Sequence, residues 1–130
     1  VPAETQKIAM QLDPDRRLCA AAGGVGRYLA DAAGLANNAV SGLQSAIVSV
    51  CNREVERIGD SRQRLDVTVT RTPDRIEVVM RRRATGGPGK DSDSEEDGMI
   101  TGVDRVQHEI QAEMATTRLT KYVGEQASPG

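Results

Sequence analysis

The sequence contains no phenylalanine and no tryptophan, and its only tyrosines are Tyr28 and Tyr122. A core built from this chain must be aliphatic, and the aromatic platforms on which proteins stack exposed bases are missing. Histidine occurs once, as His108, with no second histidine or thiol at ligand spacing, so a metal centre built on imidazole is not expected. Strand-like alternation places His108 beside Val106 and Ile110, which suits a packed or sheet-edge residue. Cysteine occurs twice, as Cys19 and Cys51, each within an apolar helical pattern, and both are expected as buried thiols without a disulfide. A large charge of either sign is also lacking. Seventeen Lys and Arg against 19 Asp and Glu leave a net charge of -2, so the overall field attracts neither nucleic acid nor an anionic membrane. The apolar runs are broken by Gly, Asn, Asp or Arg well before membrane-spanning length, and the opening "VPAETQKIAM" has no apolar signal core. These absences leave a cytoplasmic protein with a protein partner, and no direct contact with nucleic acid or membrane, as the expectation.

The chain is long enough for one compact domain, expected over residues 5–124, with a mobile loop at 84–98 and a tail at 125–130. Residues 7–12, "KIAMQL", alternate as a short strand with Ile8, Met10 and Leu12 on one side. Asp13-Pro14 supplies a helix start, a carboxylate cap followed by proline at the first helical position. Leu18, Ala21, Ala22, Val25, Leu29 and Ala32 then recur at helical spacing, and Gly34 ends the helix. A stronger helical stripe runs from Asn37 or Asn38 to Ile58 through Val40, Leu43, Ile47, Val50, Cys51 and Val55, with Arg53, Glu56 and Arg57 toward water. Gly59-Asp60 stops it.

Leu65, Val67 and Val69 alternate with polar residues, "RTPD" makes a turn, and Ile76, Val78 and Met80 alternate again, a hairpin. "GMITGV" is short enough for one or two helical turns. Val106, His108, Ile110 and Ala112 fall on one side of a further strand, and residues 116–123, "TTRLTKYV", form the last. The sum is an α/β two-layer sandwich, a mostly antiparallel sheet covered on one face by helices.

The motifs that suggest chemistry are weak. "AAGGVGRYLA" at 21–30 resembles a dinucleotide fingerprint in composition, but its glycines sit inside a helical pattern, which favours close helix packing through Gly23, Gly24 and Gly26. "GGPGK" has the wrong spacing for a phosphate loop, and Asp91 follows Lys90 where a hydroxyl should bind magnesium. "DSDSEED" lacks the turn glycine and order of a calcium loop and reads as a solvated charge run. Arg81, Arg82 and Arg83 alternate across a strand and do not form one phosphate pocket. Their nearest counter-charge is expected to be that acidic run.

In order, these pieces resemble the anti-sigma-factor, switch-kinase branch of the GHKL (histidine-kinase-like) ATPases. The likeness spans about residues 5–124 and is carried by "AIVSVCNREVERI" at 46–58, the hairpin "RLDVTVTRTPDRIEVVMRRR", and the closing "VDRVQHEIQAEMATTRLTKYV" at 103–123. The resemblance implies an ATP site in which a Glu on the second helix activates the attacking hydroxyl and an Asn four residues on holds magnesium. Registering Cys51 and Val55 places Ser49 and Arg53 there. Serine is a poor base and arginine does not bind a cation. Asn52 lies about 100° around the helix from that place.

The family's adenine-binding Asp-x-Gly-x-Gly falls on "RRATG", with Arg82 for the Asp, Ala84 for the first Gly and Gly86 kept. A guanidinium offers donors to an amino group that also donates. The phosphate-covering Gly-x-Gly falls at 93–98, on "DSEEDG", whose carboxylates repel a triphosphate. No catalytic, cofactor-binding or metal-binding residue is therefore assigned, and no cofactor is expected.

Through the resemblance, the chain reads as a pseudokinase of transcription regulation. It would be a non-enzymatic binding protein of the anti-sigma, partner-switching type, meeting a sigma factor or an anti-sigma antagonist, with a homodimer implied. The acidic run would steer a basic partner. The alternative under the same resemblance is an active serine protein kinase using ATP and magnesium.

Overall fold

The structure, a computed structural model, describes residues 5–59, 63–83 and 100–123. The first strand, β1 (Gln6–Leu12), turns Ile8, Met10 and Leu12 toward the core and Lys7, Ala9 and Gln11 outward. It leads into α1 (Arg16–Ala32), which starts two residues later than Asp13-Pro14 suggests. Asp15 is the cap: its backbone is extended and its carboxylate accepts the Arg17 amide at 2.9 Å. Asp13 instead faces Arg64, 3.1 Å away. At the other end Gly34 takes a φ of 87°, and the Leu35 amide reaches back to the Ala30 carbonyl, so a left-handed residue closes the helix as expected.

The second helix, α2 (Asn37–Ile58), buries every residue of the expected apolar stripe, and Gly59 ends it at a φ of 59°. The stripe also carries one residue no hydrophobic pattern selects, Glu54. Its neighbours Arg53 and Arg57 are drawn partly inward rather than pointing fully to water. Two helix faces meet through Gly23 and Gly26 of α1, where an added methyl would lie 2.6 Å from Val48 and against the Ile47 side chain, respectively. Gly24, expected from the sequence to share this role, instead faces open space. Gly26→Ala is therefore expected to lower stability by about 1–3 kcal/mol through overpacking. Gly24→Ala is expected to raise it by up to about 1 kcal/mol, since alanine is the better helix former. Urea unfolding of the two variants reads this contrast.

Both thiols lie in this helix interface, where Cys19 and Cys51 are fully buried and free. Burial raises both above the ordinary thiol range, and the hydrogen bond between them raises Cys51 further while opposing the shift of Cys19. They behave as small core residues, as their apolar setting suggests.

The hairpin of β2 (Leu65–Arg71) and β3 (Arg75–Arg83) turns at Thr72–Asp74, where the Thr72 amide donates to the Arg75 carbonyl at 2.9 Å. A second hairpin, β4 (Arg105–Gln111) and β5 (Met114–Tyr122), closes the sheet. Among the described residues the order is β1-β2-β3-β5-β4, antiparallel throughout, with both helices on one face. This is a two-layer α/β sandwich. Its core lies between the α1–α2 pair and the inward rows Leu65, Val67, Val69 and Ile76, Val78, Met80, together with Leu119.

Two local expectations differ from the structure. Residues 100–104, the described part of "GMITGV" and the residue after it, form no helical turn: Gly102 bends at a φ of 92° against the Gly42 carbonyl, and the Asp104 amide joins Thr120 at 2.7 Å. Ala112 belongs to no strand. With Glu113 it makes a two-residue turn at φ values of 52° and 67°, the left-handed pair that the twist of a tight hairpin requires. The "GGPGK" segment and the acidic run lie outside the described residues. No described helix is long and apolar enough to cross a membrane.

Candidate functional site

Of the described positions that the resemblance singles out, Ser49 and Arg53 lie on one side of α2, and Arg82 of β3 reaches the same helix at Glu54. Helical spacing puts Ser49, Asn52, Arg53 and Glu56 on the side of α2 facing a cleft of about 360 Å³, which Arg16 of α1 and Ile100 also line. A smaller hollow of about 130 Å³ adjoins it, sharing Ser49 and Ile100 and adding Ser45, Ala46 and Thr101. Arg16 and Glu56 form an ion pair across the rim, both more than half exposed. The Asn52 side-chain oxygen is buried and accepts no hydrogen bond from any described residue.

Behind the cleft wall lies the feature that sequence reasoning missed. Arg82 points inward because β3 alternates, with Arg81 and Arg83 exposed on either side. Its Nε donates to Glu54 Oε1 at 2.8 Å, and both side chains are 1% exposed. The other Glu54 oxygen lies 3.7 Å from Arg53 Nε and 3.6 Å from Arg57 Nη1. One buried carboxylate is thus ringed by three guanidinium groups. Arg82 thus has a counter-charge on α2 that the sequence reading did not name, while the acidic run expected to serve the arginine triplet lies outside the described residues. The alternation itself holds, with Arg82 buried between the exposed Arg81 and Arg83.

Chemically, the arrangement cannot repeat what the family register asks of it. Ser49 stands at the cleft without a carboxylate's basicity, and Arg53 presents a cation where a magnesium ligand would stand. At position 82, where the resemblance would put a carboxylate acceptor, stands a donor engaged with Glu54. The remaining registered positions, 84–86 and 93–98, lie outside the described residues. No cluster of three or more His, Cys, Asp or Glu suited to a metal exists among the described residues. His108 does not line the cleft: it sits on β4, its Nδ1 3.1 Å from the Thr117 hydroxyl.

A signal for the buried pair is present in the sequence. Glu54 follows Ile47, Val50 and Cys51 at helical intervals, on the apolar stripe, and Arg82 continues the inward row Ile76, Val78, Met80. Two opposite charges, each on an otherwise apolar row of elements that pack together, predict a buried pair. Compared with protein-family models and with curated proteins, the chain matches none.

Proposed function

We propose that this protein is a non-enzymatic regulatory binding protein of the anti-sigma, partner-switching type, built on a GHKL-like domain whose ATP site no longer serves ATP. The observation that carries the reading is the Glu54–Arg82 pair. It fills with a fixed internal contact the place where the resemblance puts the adenine-binding carboxylate. Arg53 at the cleft supports the same reading, since its charge excludes a magnesium ion from the registered position.

A chain that keeps the scaffold while using its polar site for its own stability is suited to presenting a surface to another protein. The partner class under this reading is a sigma factor or an anti-sigma antagonist. The competing reading, a serine kinase using ATP and magnesium, has one observation in its favour, the open cleft beside Ser49 and Asn52.

Binding of the purified chain to the sigma factors and anti-sigma antagonists of its own host, by calorimetry without nucleotide, tests the proposal. A saturable complex whose affinity is unchanged by added magnesium-ATP is expected. No complex with any of them, or a complex formed only with nucleotide, overturns it.

A further inference from the structure

With both helices on one face, the other face of the sheet carries the alternate side chains of all five strands. Six cations stand on it, Lys7, Arg75, Arg81, Arg83, Arg105 and Arg118, against the three carboxylates Asp66, Glu77 and Glu109. The face is therefore positive on a chain whose net charge is -2. The strand register sets four of the arginines in a line. Arg105 lies opposite Thr120 of β5, two residues from Arg118. Arg118 in turn lies opposite Val79 of β3, two residues from Arg81, and Arg83 follows on the same side of β3. Each step is a diagonal or same-strand neighbour at roughly 7–8 Å, so the line crosses three adjacent strands over roughly 22 Å.

The fold itself makes little use of this line. Arg81, Arg83 and Arg105 are exposed, and none is ion-paired to a described residue. Arg118 has one counter-charge, Glu77, whose Oε1 is 3.8 Å from the Arg118 Nε, too far for a hydrogen bond, and that Nε makes no other. Arg75, off the line, is by contrast held by Asp74 at 3.2 Å and lies 5.3 Å from the centre of the Tyr122 ring. We propose that the Arg105–Arg118–Arg81–Arg83 line is a docking surface for an acidic segment of a partner protein.

The spacing suits carboxylates on alternate residues of an extended segment, which recur on one side at roughly 7 Å. Each arginine can take a carboxylate through paired N–H donors. A protein fits this face better than a nucleic acid does. Its one aromatic side chain, Tyr122, has Arg75 over the ring, which leaves no platform for a base. Glu77 and Glu109 lie diagonally on either side of Arg118, off the arginine line. A continuous chain of phosphates would meet their charge, whereas a protein segment can place a neutral or basic residue there. The partner suited to this face is opposite in sign to the basic one that the acidic run would steer. The inference stands on the register, exposure and charge of the sheet and is independent of the proposed function.

Fluorescence anisotropy of a labelled peptide of alternating glutamate and threonine, titrated with the full chain, tests it. Saturable binding that weakens as salt rises is expected. Arg81→Glu and Arg105→Glu are each expected to weaken it about tenfold or more, a change of about 1.4 kcal/mol per tenfold. Both side chains are exposed, so the fold is kept, and melting temperatures measured alongside confirm it. Arg27→Glu makes the same change of charge on the exposed side of α1 and is expected to leave the affinity within about twofold. No saturable binding of the peptide overturns the proposal. So does an equal loss in Arg27→Glu, which would reduce the attraction to net charge. Tighter binding of a single-stranded DNA of matched charge through the same arginines also overturns it, making the face a nucleic-acid surface.

Discussion

Glu54→Ala is expected to lower the unfolding free energy by about 3–5 kcal/mol, the usual loss when one partner of a buried ion pair is removed. Glu54 and Arg82 are each 1% exposed and joined at 2.8 Å, so water cannot solvate the guanidinium in place of the lost carboxylate. Arg53 and Arg57, drawn toward the same carboxylate, also lose its attraction. A loss of that size is a large part of the stability of an ordinary domain. The pair as a whole has a different worth. Replacing both members by apolar residues of similar volume, as in Glu54→Leu/Arg82→Met, removes the desolvation cost of two ions along with their attraction, and such replacements are often neutral or stabilising. The double variant is expected to unfold near wild-type urea concentrations while Glu54→Ala does not. Equal losses in the two would mean that the attraction between the ions, and not the stranding of one, sets the effect.

Gly102→Ala is expected to cost about 2–4 kcal/mol, combining overpacking with a left-handed backbone that side chains resist. The φ of 92° at Gly102 is outside the range alanine readily adopts, and the new methyl would meet the backbone carbonyl of Gly42 on α2. A backbone carbonyl inside a helix has no rotamer by which to move aside. Gly42→Ala approaches the same contact from the helix side, where the nearest atom is the Gly102 Cα at 3.3 Å, and should cost less. Because the 100–104 segment carries Ile100 into the wall of the cleft and Asp104 onto β5, the Gly102 variant should also loosen both. Faster amide exchange at Asp104 and at Tyr122, whose amide donates to the Asp104 carboxylate at 2.7 Å, would show this, and unchanged exchange would confine the effect to Gly102 itself.

The parts of the fold set by periodicity can be read from the sequence, and the parts set by contacts distant in the chain cannot. The α2 stripe from Val40 to Ile58 and the hairpin rows of β2 and β3 follow from spacing alone, because each has one face on the core. The start of α1 falls later than expected because Asp13-Pro14 and Asp15 offer rival caps, and only the position of Arg64 across the fold draws Asp13 away. The described residues of "GMITGV" form no helical turn for a similar reason: Gly102 approaches Gly42, sixty residues earlier, and nothing local records that. At the site, the family register singles out Ser49, Arg53 and Arg82, and the structure gathers the first two at a cleft. The role of Arg82 requires its partner. Glu54 escapes notice because the residues around it, Arg53, Glu56 and Arg57, make the whole helix end look solvated, when its own position lies on the buried stripe.

The proposed binding role, without a working ATP site, is probed by titrating magnesium-ATP into the wild-type chain while following both heat and melting temperature. No saturable heat and no rise in melting temperature are expected at millimolar nucleotide. Micromolar binding, with the roughly 4 kcal/mol of stabilisation that a thousandfold excess over the dissociation constant produces, would contradict it.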